Sequence, residues 1–258
     1  MYVNYLYRIS DAGNPKLKLN IATKMNCLDN FIAEFKDNIY VFADNCSEPT
    51  IEAIKSRGIN PIITSLGNSG SWRYIVQYAI DNFDEDSAVY LMEDDYLHLP
   101  GALTALKEGL EIADYISLYD HPDKYLNYRE NGPNPYVSHG GELTRVLRTK
   151  NMHWKYTNST TMSFAAKIKT LKEDKEIWWH FTETKLPLDF FAFQALTHQK
   201  PLFSKGFYRK SLELLLLRQK VKAKRIVLSS IPGMATHAEL AWLTPLTLLY
   251  PKQSWEDI

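Results

Sequence analysis

AVYLMEDDYLHLP, residues 88–100, runs an apolar stretch directly into three carboxylates, Glu93, Asp94 and Asp95. A short apolar run bounded by polar residues is typical of a buried strand. Adjacent carboxylates at the end of such a strand repel one another, so something must offset their charge. A divalent cation, a cluster of basic groups and water are the three candidates. A solvated acidic turn is the alternative, because acidic pairs are common in exposed turns.

Strand and helix signals alternate along the first half of the chain. Runs rich in β-branched and aromatic residues predict strands over 2–9, 38–44, 59–66, 87–93 and 115–120. Helical spacing predicts helices over 28–35, 48–58, 72–83 and 100–113. Such alternation predicts an α/β protein with a mostly parallel central sheet flanked by helices.

The second half is less regular. Residues 121–142 predict a long loop, 144–149 and 160–168 predict strands, and 186–199 predict a helix. The sequence contains no internal repeat or low-complexity linker. We therefore expect the 258 residues to form a single domain.

Composition limits the classes of partner and compartment. The formal net charge is zero, so we expect no nucleic-acid partner. Cys27 and Cys46 are predicted to be core thiols and not a disulfide, as in a reducing compartment. The first residues lack the features of a signal peptide, and no apolar run approaches the roughly 20 residues of a membrane span. These features predict a cytoplasmic protein.

Residues 206–226, GFYRKSLELLLLRQKVKAKRI, combine a leucine run with a following cluster of basic side chains. A segment of this kind could lie on an anionic membrane surface and attach the protein peripherally. The alternative, which we favour, is a helix that packs by its leucines and exposes a solvated basic face.

Polar residues gather at the predicted strand ends, where an α/β sheet binds its ligands. Asp44, Gly67–Ser71 and Glu93–Asp95 should therefore converge. The N–H groups of the loop 67–71 could cradle a phosphate, with Arg73 adding positive charge. A loop that caps the next helix explains the same stretch equally well. Asp44 could contact a base or ribose, or form an Asx turn.

Two later residues suit chemistry at that edge. Asp189 lies in LPLDFFAF, where burial would raise its pKa and suit it to general-base catalysis. A helix N-cap after Pro187 is the rival interpretation. His237, in PGMATHAE, could ligate a metal through a neutral imidazole, although isolated histidines are more often structural.

In their order along the chain, these pieces resemble the GT-A-fold glycosyltransferases, close to the family 2-like group. The resemblance is carried by YLYRISD, VFADN, GNSGSWR, VYLMEDDY, LPLDFF and PGMATHAE, and it covers most of the chain. It implies a Rossmann-like GT-A domain that binds a nucleotide diphosphate sugar together with Mn²⁺ or Mg²⁺. The acidic motif reads Glu-Asp-Asp here, where the family has an Asp-x-Asp type.

The resemblance also implies roles for the matching residues. Asp95 and His237 would ligate the metal, and Asp189 would be the base of an inverting transfer. Contacts to the nucleotide sugar would come from Arg8, Asp11, Asp44, Asn68, Ser69, Arg73, Glu93 and Asp94. Residues 1–120 would form the donor-binding half and residues 121–258 the acceptor-binding half. The side chains that would line the acceptor, beside a mobile edge at 140–142, are Tyr125, Tyr128, Tyr136 and His139.

The implied function is metal-dependent transfer of a sugar from a nucleotide diphosphate, most frequently UDP in this family, to a hydroxyl of a glycan or glycolipid. A sugar nucleotidyltransferase is one rival. It would carry a glycine-rich, arginine-containing loop after the first strand, where this chain reads RISDAGNPK. A non-catalytic carbohydrate- or nucleotide-binding protein is the other rival. It explains the many aromatic residues but not the carboxylates at the strand end.

Overall fold

The computed structural model describes residues 1–13, 16–125, 144–199, 208–221 and 223–245. The strands in these ranges are β1 (Val3–Ser10), β2 (Ile39–Asp44), β3 (Ile62–Thr64), β4 (Ala88–Glu93), β5 (Tyr96–His98), β6 (Tyr115–Ser117), β7 (Val146–Arg148), β8 (His153–Tyr156), β9 (Ala165–Lys167), β10 (Val227–Ile231) and β11 (Ala235–His237). The α-helices are α1 (Lys24–Phe35), α2 (Glu48–Lys55), α3 (Gly67–Asn82), α4 (Ala102–Leu110), α5 (Ile168–Glu173), α6 (Lys175–Phe181), α7 (Asp189–Leu196) and α8 (Tyr208–Arg218).

A nine-stranded sheet organises the described residues, in the order β3-β2-β1-β4-β9-β6-β10-β8-β7. Strands β3, β2, β1 and β4 are parallel neighbours, and β6 pairs parallel with β10. Strand β9 runs antiparallel between β4 and β6, and β8 runs antiparallel to β10 and β7. Seven of the nine strands therefore point the same way, which confirms the predicted mostly parallel α/β sheet.

Helices cover both faces of the sheet, because its central strands send apolar side chains into two cores. In β1, Tyr5, Tyr7 and Ile9 join the core that α1 and α4 pack, whereas Leu6 joins the core that α3 and α5–α7 pack. Burial on both faces explains the nearly continuous apolar run of this strand. Charged side chains therefore collect at the strand ends.

The stretch 67–71 is the first turn of α3 and not a loop before it, so the predicted helix start at residue 72 is wrong. The N–H of Leu66 donates to Asp44 Oδ1 at 2.7 Å, which fixes the turn that leads into the helix. Gly67 has a φ of +74°, a left-handed conformation that favours glycine. The carboxylate at the end of β2 therefore sets where α3 begins.

The second half of the chain adds elements that the sequence did not predict, among them α5, α6 and β10. The predicted strand over 160–168 shortens to β9, since residues 160–164 form no strand and Ile168 begins α5. Strand β9 inserts between β4 and β6, so the two halves of the chain share one sheet. Their division into a donor half and an acceptor half stays a prediction. Cys27 is a buried free thiol, as predicted, whereas the free thiol of Cys46 is only half-buried against the core.

Helix α8 occupies the middle of the basic leucine-rich segment 206–226. Leu214 and Leu217 are buried, which agrees with a helix that packs by its leucines. Leu216 is 67% exposed, and Leu212 and Leu215 are also exposed, so membrane contact at this helix stays a prediction. Among the described residues, no helix is long and apolar enough to cross a membrane.

Candidate functional site

Strands β1, β2 and β4 end side by side at one edge of the sheet, and one arginine joins their ends. Arg8 lies opposite Glu93 in the register of β1 and β4. Its guanidinium donates to Ser71 Oγ at 2.5 Å and lies 3.3 Å from Asp44 Oδ2 and 3.7 Å from Glu93 Oε1. The predicted convergence of the three strand-end segments is therefore found in the structure.

Asp44 is fully buried and already has four hydrogen-bond donors. Thr64 Oγ1 and the N–H of Leu66 donate to Oδ1, at 3.0 and 2.7 Å. Asn45 Nδ2 and Arg8 donate to Oδ2, at 3.0 and 3.3 Å. An ionised carboxylate has about four acceptor sites, so this set is saturated. Asp44 orients Arg8, and its direct contact with a nucleotide stays a prediction that the geometry does not favour.

Glu93 and Asp94 are held by separate partners on β1. Glu93 faces Arg8, whereas Asp94 Oδ2 accepts the N–H of Ser10 at 3.0 Å. Burial raises the pKa of Glu93 to about 7, with Asp95 adding to the rise and Arg8 opposing it. Burial also raises the pKa of Asp94. Part of the repulsion is therefore relieved because Glu93 binds a proton near neutral pH.

Asp95 meets a group of basic side chains. Its Oδ2 lies 3.1 Å from Lys18 Nζ, 3.6 Å from Lys16 Nζ and 3.5 Å from His237 Nε2. Burial by itself would raise the pKa of Asp95, but His237, Lys18 and Lys16 together lower it below its usual value. Basic groups, one of the three candidates from the sequence, therefore offset this charge, and the two lysines were not predicted.

His237 reaches Asp95 because β11 pairs antiparallel with β5, the short strand that follows the acidic run. Its Nδ1 accepts the N–H of Glu239 at 3.1 Å. Burial lowers the pKa of His237 to about 4, so the imidazole is neutral at pH 7 and carries a single N–H. With Nδ1 accepting, that N–H is on Nε2 and faces Asp95.

These donors do not fit the implied divalent cation. A metal-bound histidine gives a lone pair from one ring nitrogen and usually donates an N–H from the other, whereas His237 accepts at Nδ1. Asp95 Oδ1 is buried without a hydrogen-bond partner among the described residues, but one oxygen does not make a metal site. The described part of the chain has no group of three or more His, Cys, Asp or Glu side chains that could hold a metal ion. Mn²⁺ or Mg²⁺ at Asp95 and His237 therefore stays a prediction from the resemblance.

Asp11 and Arg73 join structural elements in this arrangement. Asp11 accepts the N–H of Ser47 at 2.8 Å, at the start of α2. Arg73 donates to Thr182 Oγ1 at 2.8 Å and lies over the ring of Trp179, at the end of α6. The contacts of both side chains with a nucleotide stay predictions.

Asn68 and Ser69 lie in the first turn of α3, close to the edge where Arg8 binds Ser71. Ser71 Oγ donates to the carbonyl of Asn68 at 3.1 Å. The N–H of Ser69 donates to the carbonyl of Lys185 at 3.4 Å. The predicted phosphate cradle therefore has one N–H group already engaged, and its role stays a prediction.

A second charged group, the β6 cluster, lies beyond the end of β6 and consists of Asp120, Asp123, Lys124 and Lys155. Lys155 Nζ lies 2.7 Å from Asp120 Oδ1, and Lys124 Nζ lies 3.7 Å from Asp123 Oδ1. All four side chains are buried, and burial of charged pairs costs considerable desolvation energy. Sequence reasoning missed them, although Asp120 ends a predicted strand just as Asp44 does.

Asp189, the predicted base, lies at the start of α7 within electrostatic reach of the β6 cluster. Burial raises its pKa to about 6, and Asp123 adds to the rise. The N–H of Phe190, which donates to Asp189 Oδ1 at 2.7 Å, and the charge of Lys124 oppose it. The direction of the pKa shift is the one predicted, and the catalytic role stays a prediction.

Aromatic rings connect the β6 cluster with the group at the end of β4. That group, the β4 cluster, consists of Arg8, Lys16, Lys18, Glu93, Asp94, Asp95 and His237. The ring centroid of Tyr119 lies 6.4 Å from that of His237 and 5.1 Å from that of His121. His121 Nδ1 in turn lies 2.7 Å from Asp123 Oδ1. The two clusters are therefore neighbours at the carboxyl edge of the sheet.

The predicted acceptor loop is described as far as Tyr125. The ring centroid of Tyr125 lies 4.1 Å from Lys155 Nζ, and its hydroxyl donates to Asp120 Oδ2 at 2.6 Å. The loop therefore begins by covering the β6 cluster. The other acceptor-side predictions lie outside the described residues, namely Tyr128, Tyr136, His139 and 140–142.

Several solved structures are similar to the chain at low identity. CMP:2-keto-3-deoxy-manno-octonic acid synthetase complexed with CTP is 10% identical, with a TM-score of 0.47 over 90% of this chain and 92% of that chain. The 2-C-methyl-D-erythritol 4-phosphate cytidylyltransferase of Francisella tularensis is 11% identical, with a TM-score of 0.44 over 98% of each chain. Residues 1–349 of S. aureus TarS are 12% identical, with a TM-score of 0.38 over 74% of this chain and 55% of that chain. No family model matches the chain, and no curated protein matches its sequence. Because these TM-scores are all below 0.5, function has to be inferred from the site itself.

Proposed function

We propose that this protein transfers a sugar from a nucleotide diphosphate to a hydroxyl group of a glycan or glycolipid. The observation that carries the proposal is the position of the β4 cluster beside the β6 cluster and Asp189. Both clusters lie at the carboxyl edge of the sheet, where α/β proteins bind their ligands. One cluster offers cations for a diphosphate, and the other lies near a carboxyl group suited to accept a proton.

The β4 cluster supplies groups that a nucleotide diphosphate requires. Arg8, Lys16 and Lys18 carry N–H donors with positive charge, which form strong hydrogen bonds to phosphate oxygens. Glu93 and Asp94 offer oxygens that accept hydrogen bonds from ribose hydroxyls. UDP is the first nucleotide to test, because the resembling family uses it most frequently.

On the acceptor side, Asp189 acts as the general base. The acceptor oxygen attacks the anomeric carbon while the bond from that carbon to the diphosphate oxygen breaks. The hydroxyl proton passes to the carboxylate of Asp189, and the leaving diphosphate keeps the electron pair. A pKa of about 6 leaves Asp189 ionised at neutral pH and still basic. A single displacement of this kind inverts the anomeric configuration.

A sugar nucleotidyltransferase is the second candidate, because the cations of the β4 cluster suit the phosphates of a nucleoside triphosphate as well. The two reactions differ in their products. Glycosyl transfer releases a nucleoside diphosphate, whereas nucleotidyl transfer from a triphosphate to a sugar phosphate releases pyrophosphate.

The test follows both products by ion-exchange chromatography. The protein is incubated with UDP, GDP, CDP and dTDP sugars plus glycan acceptors, and separately with nucleoside triphosphates plus sugar phosphates. We expect release of a nucleoside diphosphate, reduced by about a hundredfold or more in Asp189→Asn. The exposed residue Asp81, on α3, gives the matched control Asp81→Asn, which should keep full activity. Pyrophosphate release would favour the rival, and nucleotide binding without either product would indicate a binding protein.

A further inference from the structure

Two lysines occupy the place at which the resemblance implies a divalent cation. Lys18 and Lys16 put their ammonium groups 3.1 and 3.6 Å from Asp95 Oδ2. Asp95 is 6% exposed, whereas the side chains of Lys16 and Lys18 are 38% and 25% exposed. The carboxylate of Asp95 is therefore buried, whereas both lysine side chains are partly exposed to solvent.

The backbone holds both lysines in place. Leu19 N donates to the carbonyl of Ala238 at 3.0 Å, and Leu240 N donates to the carbonyl of Leu17 at 2.9 Å. Residues 16–19 therefore run antiparallel to residues 238–240. In such an extended segment, side chains two positions apart point to the same side, which explains why both lysines reach one carboxylate.

Lys16 contacts a second carboxylate besides Asp95. Lys16 Nζ also lies 3.2 Å from Glu239 Oε2. Two ammonium groups and two carboxylates thus balance in the free protein. A diphosphate bound there accepts hydrogen bonds that Lys16 and Lys18 otherwise direct at the carboxylates. The Nε2–H of His237 stays directed at Asp95.

We infer that Lys16 and Lys18 bind the diphosphate of the nucleotide directly, in the place of a divalent cation, and that Asp95 is the positioning residue that holds the two lysines there. The inference rests on the proposed function and names the groups that donate hydrogen bonds to its leaving group. Lysine binds phosphate as a compact point charge with three N–H donors. It thereby places next to the phosphate oxygens the positive charge that a metal ion would otherwise provide. Asp95, the residue that the resemblance assigns to the metal, then acts through the lysines.

Calorimetric titration with UDP, GDP, CDP and dTDP tests the inference, once with excess EDTA and once with Mn²⁺. We expect one of the four to bind in EDTA with a Kd within about twofold of its Kd in Mn²⁺. Titration of the protein with Mn²⁺ alone, followed by the paramagnetic resonance of the free ion, should show no binding at the β4 cluster.

Substitution of the lysines supplies the second measurement. Lys16→Met and Lys18→Met should each weaken binding in EDTA by about tenfold, and the double variant by about a hundredfold. The arginine variants at both positions should keep most of the affinity, because the charge remains. Lys55→Met is the matched control, since Lys55 is exposed on α2 and pairs with Glu52 at 2.7 Å. Circular dichroism of each variant shows whether the fold is intact.

The outcomes separate this inference from the proposed function. Binding that requires Mn²⁺ overturns the role of the lysines and leaves the proposed function standing. If the variant with both Lys16→Met and Lys18→Met still binds the nucleotide in EDTA, the role of the lysines is overturned as well. If none of the four nucleotides binds with or without Mn²⁺, the proposed function fails and the inference fails with it.

Discussion

Replacing Asp44 by asparagine tests whether one buried carboxylate holds the strand ends together. In Asp44→Asn, one oxygen that accepts two hydrogen bonds becomes an amide nitrogen that accepts none. The change leaves either Thr64 and Leu66, or Arg8 and Asn45, without their acceptor. Hydrogen bonds to a charged group contribute about 1.5–3 kcal/mol each. The free energy of unfolding should therefore fall by about 3–6 kcal/mol.

Urea unfolding followed by circular dichroism measures this change, with linear extrapolation to water. Asp81→Asn is the control, since exposed Asp81 accepts one hydrogen bond from Gln77 at 2.7 Å. The free energy of unfolding of this control should differ from that of the unsubstituted protein by no more than about 0.5 kcal/mol. An Asp44→Asn protein as stable as this control would refute the reasoning, because the donors around Asp44 would then have other acceptors and the carboxylate could bind a ligand.

Three further predictions follow from pKa values and exposure. Asp189 must be ionised to act as the base, and its pKa is about 6. We therefore expect kcat/KM to fall about tenfold per pH unit below that value. A profile that stays flat over the range from about pH 5 to about pH 7 would count against Asp189 as the base. His237 has a pKa of about 4 in the fold against an ordinary 6.5, so the unfolded chain binds its proton first as the pH falls. The free energy of unfolding should therefore decrease by up to about 3 kcal/mol as the pH falls between these two values. The decrease should be smaller in His237→Gln, and urea unfolding at several pH values measures both. Leu215→Gln with Leu216→Gln should abolish sedimentation with anionic vesicles if α8 binds membranes, and unchanged sedimentation would exclude these leucines as the contact.

The strand ends were predictable because they follow from local pattern. The run 88–92 is apolar on both faces of the sheet, so its end at Glu93 marks the edge directly. The start of α3 was missed because Gly67 and Gly70 are weak helix formers. What starts that helix is the carboxylate of Asp44, more than twenty residues earlier in the chain, and local propensity does not contain that contact.

The partners of the acidic run were not predictable for the same reason. Lys16 and Lys18 reach Asp95 because residues 16–19 pair with residues 238–240, at the far end of the chain. Alternating lysine and leucine in PKLKL is an ordinary surface pattern without that pairing. Asp120 was predictable from the sequence, in contrast to the two lysines. It ends a predicted strand, and polar residues at such strand ends, Asp44 among them, are candidate site residues.

The most direct measurement of the central claim is a map of the nucleotide on the protein by amide chemical shifts. Isotope-labelled protein is titrated with UDP, GDP, CDP and dTDP, and the shifted signals are assigned. The proposed site predicts that one nucleotide shifts the signals of residues 8–11, 16–19, 93–97 and 237–239 and leaves those of α8 unchanged. Shifts confined to other parts of the chain, or none with any of the four, would contradict a nucleotide-sugar site at the β4 cluster.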